Sequence, residues 1–447
     1  MVRFDILSWG KKLTVALTIR KILDSKFRVE NLALLVLLIE AVAFAWSAFK
    51  IIYLRFPANA VLSVTEWDKP DIRLEAFGEP RRVGVHYFGD FLQTFDWATL
   101  SNPWTHDPGF LVQYPSVPVY ILKLLTPFPY YTAMWIYLAL MALTSATSVW
   151  LVLTKFSTIT RLASSIAIGC LSAPTLMAFD RGNSVGFVAI LFCLFALGLS
   201  TNNRWLAIAT LVLLATTKIY PLLLIVIFVR LKWWREIWIT LLAGLLMTLG
   251  LFTVTPGNFG ETFYAWMRAN TEASGIWKET LLLGVKALLQ VLGFHDTGTI
   301  SSISEALVET WGIVRYLIIL SMLALIVFKP GIQRFESLAL GGFAMVLFYT
   351  APHNYAWTWA LPMVGILLNT FYGTSGISTL KGMWLESKMG VTTLLGLLLV
   401  ISPLPIAVPG TQKSILPFIG YGVAFLVTYV GYREWFQTRR LKRFESS

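Results

Sequence analysis

The chain has 447 residues, 56% hydrophobic and 13% charged, with mean hydropathy +0.68 and a formal net charge of +12. A soluble domain has too little interior to hide that apolar fraction, so the bilayer is the main solvent and the predicted class is an all-α polytopic membrane protein. Its two cysteines, Cys170 and Cys193, both sit in apolar runs, which excludes a disulfide framework and a cysteine-based metal cluster.

Residues 1 to 30 carry seven Lys and Arg, and the stretch 4 to 27 mixes them with Ile, Leu, Val and Trp, as a helix lying on the inner leaflet does. The apolar run after it, 31 to 53, is too long for a signal peptide and lacks a small-residue cleavage site, so it reads as an uncleaved first span. Further spans of roughly 20 residues or less are predicted at 129 to 153, 163 to 179, 184 to 200, 205 to 217, 219 to 231, 236 to 254, 309 to 328, 335 to 350, 356 to 372, 390 to 408 and 415 to 432. That makes about twelve crossings in a single domain, 1 to 447. The pair around 218 is read as two short spans broken at Lys218 and Pro221, because only an even count keeps Arg204, Arg230, Lys232 and Arg235 on one side.

On this topology the inner segments hold 22 of the 36 Lys and Arg against 8 of the 24 acids, and both termini, including the basic tail 433 to 447, are cytoplasmic. Membrane orientation therefore accounts for the basic balance, and no nucleic acid is expected as a partner. Two outer loops, 54 to 128 and 255 to 308, exceed any turn and are read as functional. Within the first, a short apolar segment over 112 to 125, opened by Tyr114-Pro115, is read as re-entrant or interfacial, since one more crossing would invert every later loop.

Polar groups at membrane depth or at helix ends are candidates for chemistry. Predicted on the outer side are Asp90 and Asp96 in the first loop, Asp180-Arg181-Gly182-Asn183, Lys218, and His353-Asn354-Tyr355. They form a plausible anionic-ligand site with a general base. Asp68, Asp71 and Asp107 read as solvated or capping, whereas Asp90 lies among aromatic residues, where burial is expected to raise its pKa toward that of a useful base. Asp180 and Arg181 either pair with each other in a tight turn or bind a ligand. Lys218 either snorkels to the interface or serves function, and a cation at a helix break beside Pro221 favours function. His353 after Ala-Pro is also consistent with a plain turn residue. Glu40 pairs within the bundle.

The segments Tyr114-Pro115-Ser116-Val117-Pro118, Phe179-Asp180-Arg181-Gly182-Asn183, Arg204-Trp205 and Lys218-Ile219-Tyr220-Pro221, in this order, resemble the integral-membrane glycosyltransferases of the GT-C superfamily. The closest likeness is to glycosyltransferase family 87, the polyprenol-phosphate-mannose-dependent mannosyltransferases. Two departures are Tyr-Pro-Ser for Tyr-Pro-Pro and the looser Lys-Ile-Tyr-Pro for Lys-Pro. The resemblance implies a GT-C-type bundle that moves a sugar, mannose by default and arabinose as the alternative, from a polyprenyl-phosphate donor to a glycolipid or glycan acceptor, with inversion. It implies Asp90 as general base with Asp96 in reserve, and His353 as a second catalytic group. Arg181, Lys218, Asn183 and Tyr355 would bind the donor phosphate, and Tyr114 and Pro115 would line the lipid-carrier groove. No cofactor and no obligatory metal are expected, and the active site is placed on the extracytoplasmic face of the plasma membrane. A lipid or glycolipid flippase is the alternative of another class, but it calls for a midplane site between repeats, and the sequence shows none.

Overall fold

The computed structural model describes residues 72–74, 81–83, 89–105, 116–269, 296–348, 354–373, 386–402 and 416–445, with isolated positions between 282 and 289 and at 383 and 384. The segment 4 to 27, the first span at 31 to 53, Tyr114, Pro115, most of 270 to 295 and His353 lie outside the described residues. Apart from one small antiparallel hairpin in the first loop, β1 (Ile72–Leu74) with β2 (Arg81–Val83), the described fold is helical.

Helices α1 (Gly89–Thr99) and α2 (Ser116–Lys123) belong to the first loop. At eight residues α2 is about 12 Å long, too short to cross a hydrocarbon core of about 30 Å. The bundle continues with α3 (Tyr130–Val152), α4 (Thr158–Cys170), α5 (Ala173–Arg181), α6 (Val188–Ser200), α7 (Arg204–Thr217), α8 (Val226–Arg230) and α9 (Trp234–Thr253). After the second loop come α10 (Thr297–Phe328), α11 (Arg334–Phe348), α12 (Ala360–Gly373), α13 (Lys388–Ile401) and α14 (Leu416–Glu445). By length and composition α3, α9 and α10 can each cross a membrane, and the bent pair α4 and α5 would make a fourth. Exposed Trp238, Leu241, Leu242, Leu245 and Leu246 on α9, and Leu317 and Leu320 on α10, suit a lipid surround.

Three elements differ from the predicted spans. The span at 163 to 179 is two helices meeting at 56°, because Pro174 in the first turn of α5 cannot continue the preceding helix. The span at 309 to 328 begins twelve residues earlier, where Asp296 caps α10 by accepting the Thr299 N–H at 2.7 Å. The basic tail is largely a continuation of α14. The predicted break at Lys218 is present: α7 ends at Thr217, Lys218 is extended, and a 3-10 turn, Tyr220–Ile225, with Pro221 at its start leads into α8.

Polar contacts gather at the helix ends, in two groups. At one end Lys155 N–H meets Asn369, Arg204 meets Glu236, Arg230 donates to the Val327 carbonyl, and Arg334 donates to the Leu199 carbonyl. Lys329 joins them, pairing with Glu434 at 2.8 Å and Glu336 at 3.6 Å, while Glu336 accepts from Ser387 and Glu434 from the Lys388 N–H. At the other end the first loop is fastened to α9 and the turn after it: Ser116 donates to the Thr248 carbonyl, Tyr120 bonds Thr255, and Asn102 donates to the Pro256 carbonyl. Between neighbours the backbones come close where glycine allows; a Cβ at Gly198 would lie 2.7 Å from the Ala207 nitrogen.

Lys329 is a buried cation between two carboxylates, so its removal leaves uncompensated negative charge. Lys329→Met is expected to lower stability by about 3–5 kcal/mol, read as a lower thermal midpoint of the detergent-purified protein. Glu434→Gln, which leaves Glu336 to pair with Lys329, should cost less, and equal midpoints for parent and Lys329→Met would remove this network from the account of stability.

Candidate active site

The site is built where α1 meets the end of α5. The C-terminus of α5 is a Schellman turn: the Gly182 N–H bonds the Phe179 carbonyl and the Asn183 N–H bonds the Ala178 carbonyl, with Gly182 at φ +64°. A Cβ on Gly182 would meet the Phe91 Cβ at 2.5 Å and its nitrogen at 3.3 Å. Glycine is thus required twice, for the left-handed backbone and for the seat of α1, whose first turn rests on this turn.

That seat delivers Asp90 to Arg181 and Asn183. Arg181 Nε donates to Asp90 Oδ2 at 2.9 Å and Nη2 to Oδ1 at 3.0 Å, while Asn183 Nδ2 donates to Oδ2 at 2.6 Å. Asn183 is buried, and its Oδ1 accepts the Val185 N–H at 3.0 Å, capping the 3-10 turn Ser184–Phe187. Side-chain exposure is 16% for Asp90 and 13% for Arg181, so this ion pair is largely out of water. Lys218, at the break after α7, is within electrostatic range of both.

The expected raised pKa of Asp90 is not what the site produces. Burial does push the carboxyl up, but the Arg181 charge and hydrogen bond, the Asn183 amide and the Lys218 charge together outweigh it and hold it below the ordinary carboxylate range. Burial pulls the Lys218 ammonium down to about 8, against the opposing charge of Asp90 and with Arg181 adding to the pull. Among the described residues the arrangement is therefore an ionised carboxylate beside two cations, a setting suited to holding an anion and to meeting charge that develops on one.

Of the other predicted residues, Asp96 lies six positions along α1, about 240° around the helix from Asp90, half-buried, its carbonyl accepting from Thr99. Arg181 pairs with Asp90 across 91 positions of chain; the side chain of Asp180 is outside the described residues. Tyr355 lies in the 3-10 turn Asn354–Trp357, its side chain likewise outside them, but that turn packs on α5, and Thr358 donates to the Val185 carbonyl at 2.9 Å. The motif containing His353 therefore ends beside the Arg-Gly-Asn turn. Sequence reasoning missed Tyr137: in α3, buried, its ring is 5.0 Å from Phe91 and it feels the Asp90 charge. An aromatic inside an apolar span carries no signal that separates it from core.

Residues 110–350, more than half of the chain, match the model of glycosyltransferase family 87. The chain belongs to glycosyltransferase family 87. It is accordingly a membrane glycosyltransferase, acting on a sugar donor and an acceptor. Among curated proteins nothing matches the chain, and nothing matches among solved structures. The matched segment contains Arg181, Gly182, Asn183 and Lys218; Asp90 precedes it and joins them through the fold.

In this family 87 glycosyltransferase Gly182→Ala should seat α1 poorly, because a left-handed alanine costs roughly 1–2 kcal/mol and its methyl collides with Phe91. Sugar transfer is expected to fall about 100-fold, as a displacement of around 1 Å can do, with an unchanged size-exclusion profile. Parental transfer by this variant would show that the seat is not needed.

Proposed function

We propose that the protein transfers a sugar, mannose in the first instance, from a polyprenyl-phosphate donor to a lipid or glycan acceptor on the extracytoplasmic face of the plasma membrane, with inversion at the anomeric carbon. The observation that supports this reading best is the Asp90 carboxylate held against Arg181 with Lys218 in range, at the bundle end opposite the Arg- and Lys-rich turns. The positive-inside preference then puts this site outside, in a bundle of about twelve crossings with both termini within.

In the reaction Asp90 takes the proton of the acceptor hydroxyl while the acceptor oxygen attacks the anomeric carbon. The bond from that carbon to the phosphate oxygen breaks, and its electron pair leaves with the polyprenyl phosphate. A phosphodiester with one negative charge thereby becomes a monoester carrying more, and Arg181 and Lys218 meet the charge that develops, with Tyr355 of the adjacent turn and His353, which precedes that turn in sequence, as further partners. This assigns the electrostatic work to side chains and asks for no metal. Helix α2, fastened to α9 at the same end, would lie along the lipid carrier with Tyr114 and Pro115 just before it.

The test is transfer by purified protein in nanodiscs, with a chelator present, from radiolabelled polyprenyl-phosphate-mannose to extracted membrane lipids, with the arabinose donor in parallel. Asp90→Asn should lower transfer by about 10²- to 10⁴-fold with its size-exclusion profile unchanged. Transfer only from the arabinose donor would correct the sugar, and transfer from neither would overturn the donor class.

Lys218 gives a second check. A lysine drawn down to about 8 is charged below that pH and neutral above it. The kcat/KM for donor, which reports the free enzyme, should decline as pH rises through about 8, and Lys218→Arg should carry that limb out of range. A flat profile up to pH 10 in the parent would remove Lys218 from donor binding.

A further inference from the structure

Asn183 was grouped with the donor-phosphate ligands on sequence grounds, yet both ends of its amide are already engaged inside the protein. It is 3% exposed, Oδ1 accepts the Val185 N–H at 3.0 Å, and Nδ2 donates to Asp90 Oδ2 at 2.6 Å. The two oxygens of Asp90 are consequently unequal. Oδ2 is held by Arg181 Nε and by Asn183, whereas the side-chain donor on Oδ1 is Arg181 Nη2. Arg181 is also the cation that an arriving phosphate would engage, and its departure would uncover Oδ1 while leaving Oδ2 held.

We propose that Asn183 is a positioning residue for Asp90: it keeps Oδ2 fixed when Arg181 turns to the donor phosphate, so that Oδ1 is the oxygen that takes the acceptor's proton. The inference rests on the reading of Asp90 as the base. A carboxylate on a short side chain has a broad, two-fold torsion at its end, and released from Arg181 it would swivel. Asn183 prevents this because its own carbonyl is locked to the backbone of the following turn. The proton passes from the acceptor oxygen to Oδ1, and the electron pair of the broken sugar–phosphate bond leaves with the lipid phosphate. Among the described residues, the charged and titratable groups that face Asp90 are Arg181 from the end of α5, Lys218 from the end of α7 and Tyr137 from α3.

Asn183→Ser separates positioning from capping. Serine caps a turn well and is neutral, so the Val185 N–H keeps an acceptor, but its hydroxyl is too short to reach Asp90. Expected are a thermal midpoint and a polyprenyl-phosphate affinity close to parental, within about threefold for the affinity, and a kcat lowered about 100-fold. The acid limb of the kcat profile should also move to higher pH, since a carboxylate that loses a donor to its charged form is easier to protonate. Parental kcat with an unmoved acid limb would reduce Asn183 to a cap and overturn the proposal. So would a loss of polyprenyl-phosphate binding beyond about tenfold with kcat at saturating donor unchanged, which would return Asn183 to the phosphate. Asp90→Asn run alongside tells the two failures apart: undiminished transfer by that variant sinks the base assignment itself, whereas an inactive Asp90→Asn beside a parental Asn183→Ser sinks only the positioning role.

Discussion

The ion pair between Asp90 and Arg181 is the contact on which the candidate site depends. It joins a helix of the long first loop to the bundle, and it does so largely out of water, where an ion pair is tolerated only if its remaining hydrogen-bonding capacity is met. Asn183 supplies the additional donor to the carboxylate. Gly182 lets Phe91 settle on the turn at the required distance, so the three residues Arg181, Gly182 and Asn183 act as a unit: charge, clearance and amide. Their adjacency follows from the Schellman turn, which brings the last helical side chain and the second residue beyond it to one carboxylate.

The two ends of the bundle are held by different means. The Arg- and Lys-rich end uses long cations to close helix ends, with Arg230 and Arg334 on carbonyls and Lys329 between two carboxylates. The end bearing Asp90 uses short hydroxyl and amide contacts, such as Ser116 and Tyr120 on α9 and Asn102 on the turn beyond it. Two cations at that end, Arg181 and Lys218, act on one carboxylate, Asp90. Cations distributed over helix ends hold the fold; on the proposed reading, cations gathered around a partly buried anion serve a ligand.

How much of this was legible in the sequence varies with the physics of each element. The break at Lys218 and Pro221 was, because a cation and a proline interrupt an apolar run where no helix tolerates both. The bend between α4 and α5 was missed although Ser172 and Pro174 mark it, because the hydropathy over 163 to 179 reads as one span and is blind to direction. The N-terminal extension of α10 was hidden by its Thr, Ser and Glu content, which reads as loop until Asp296 is recognised as a cap. Within the site the types of residue were found but not their pairing. Asp180 beside Arg181 offered the nearest carboxylate on paper, and the fold brings Asp90 to Arg181 from the first loop.

The lowered pKa of Asp90 sets a condition on any mechanism that uses it. A carboxylate gripped by a guanidinium is ionised but a poor proton acceptor, so proton transfer and the resting ion pair are mutually exclusive. On the proposed reading the conflict resolves through the donor: its phosphate competes for Arg181, and the same movement that binds the leaving group releases the base. Without donor the carboxylate remains masked; with donor it becomes available at the moment an electrophilic carbon is present. A single arginine serving two anions in turn thus couples the order of binding to the chemistry, and it does so with no element of the fold having to move beyond one side chain.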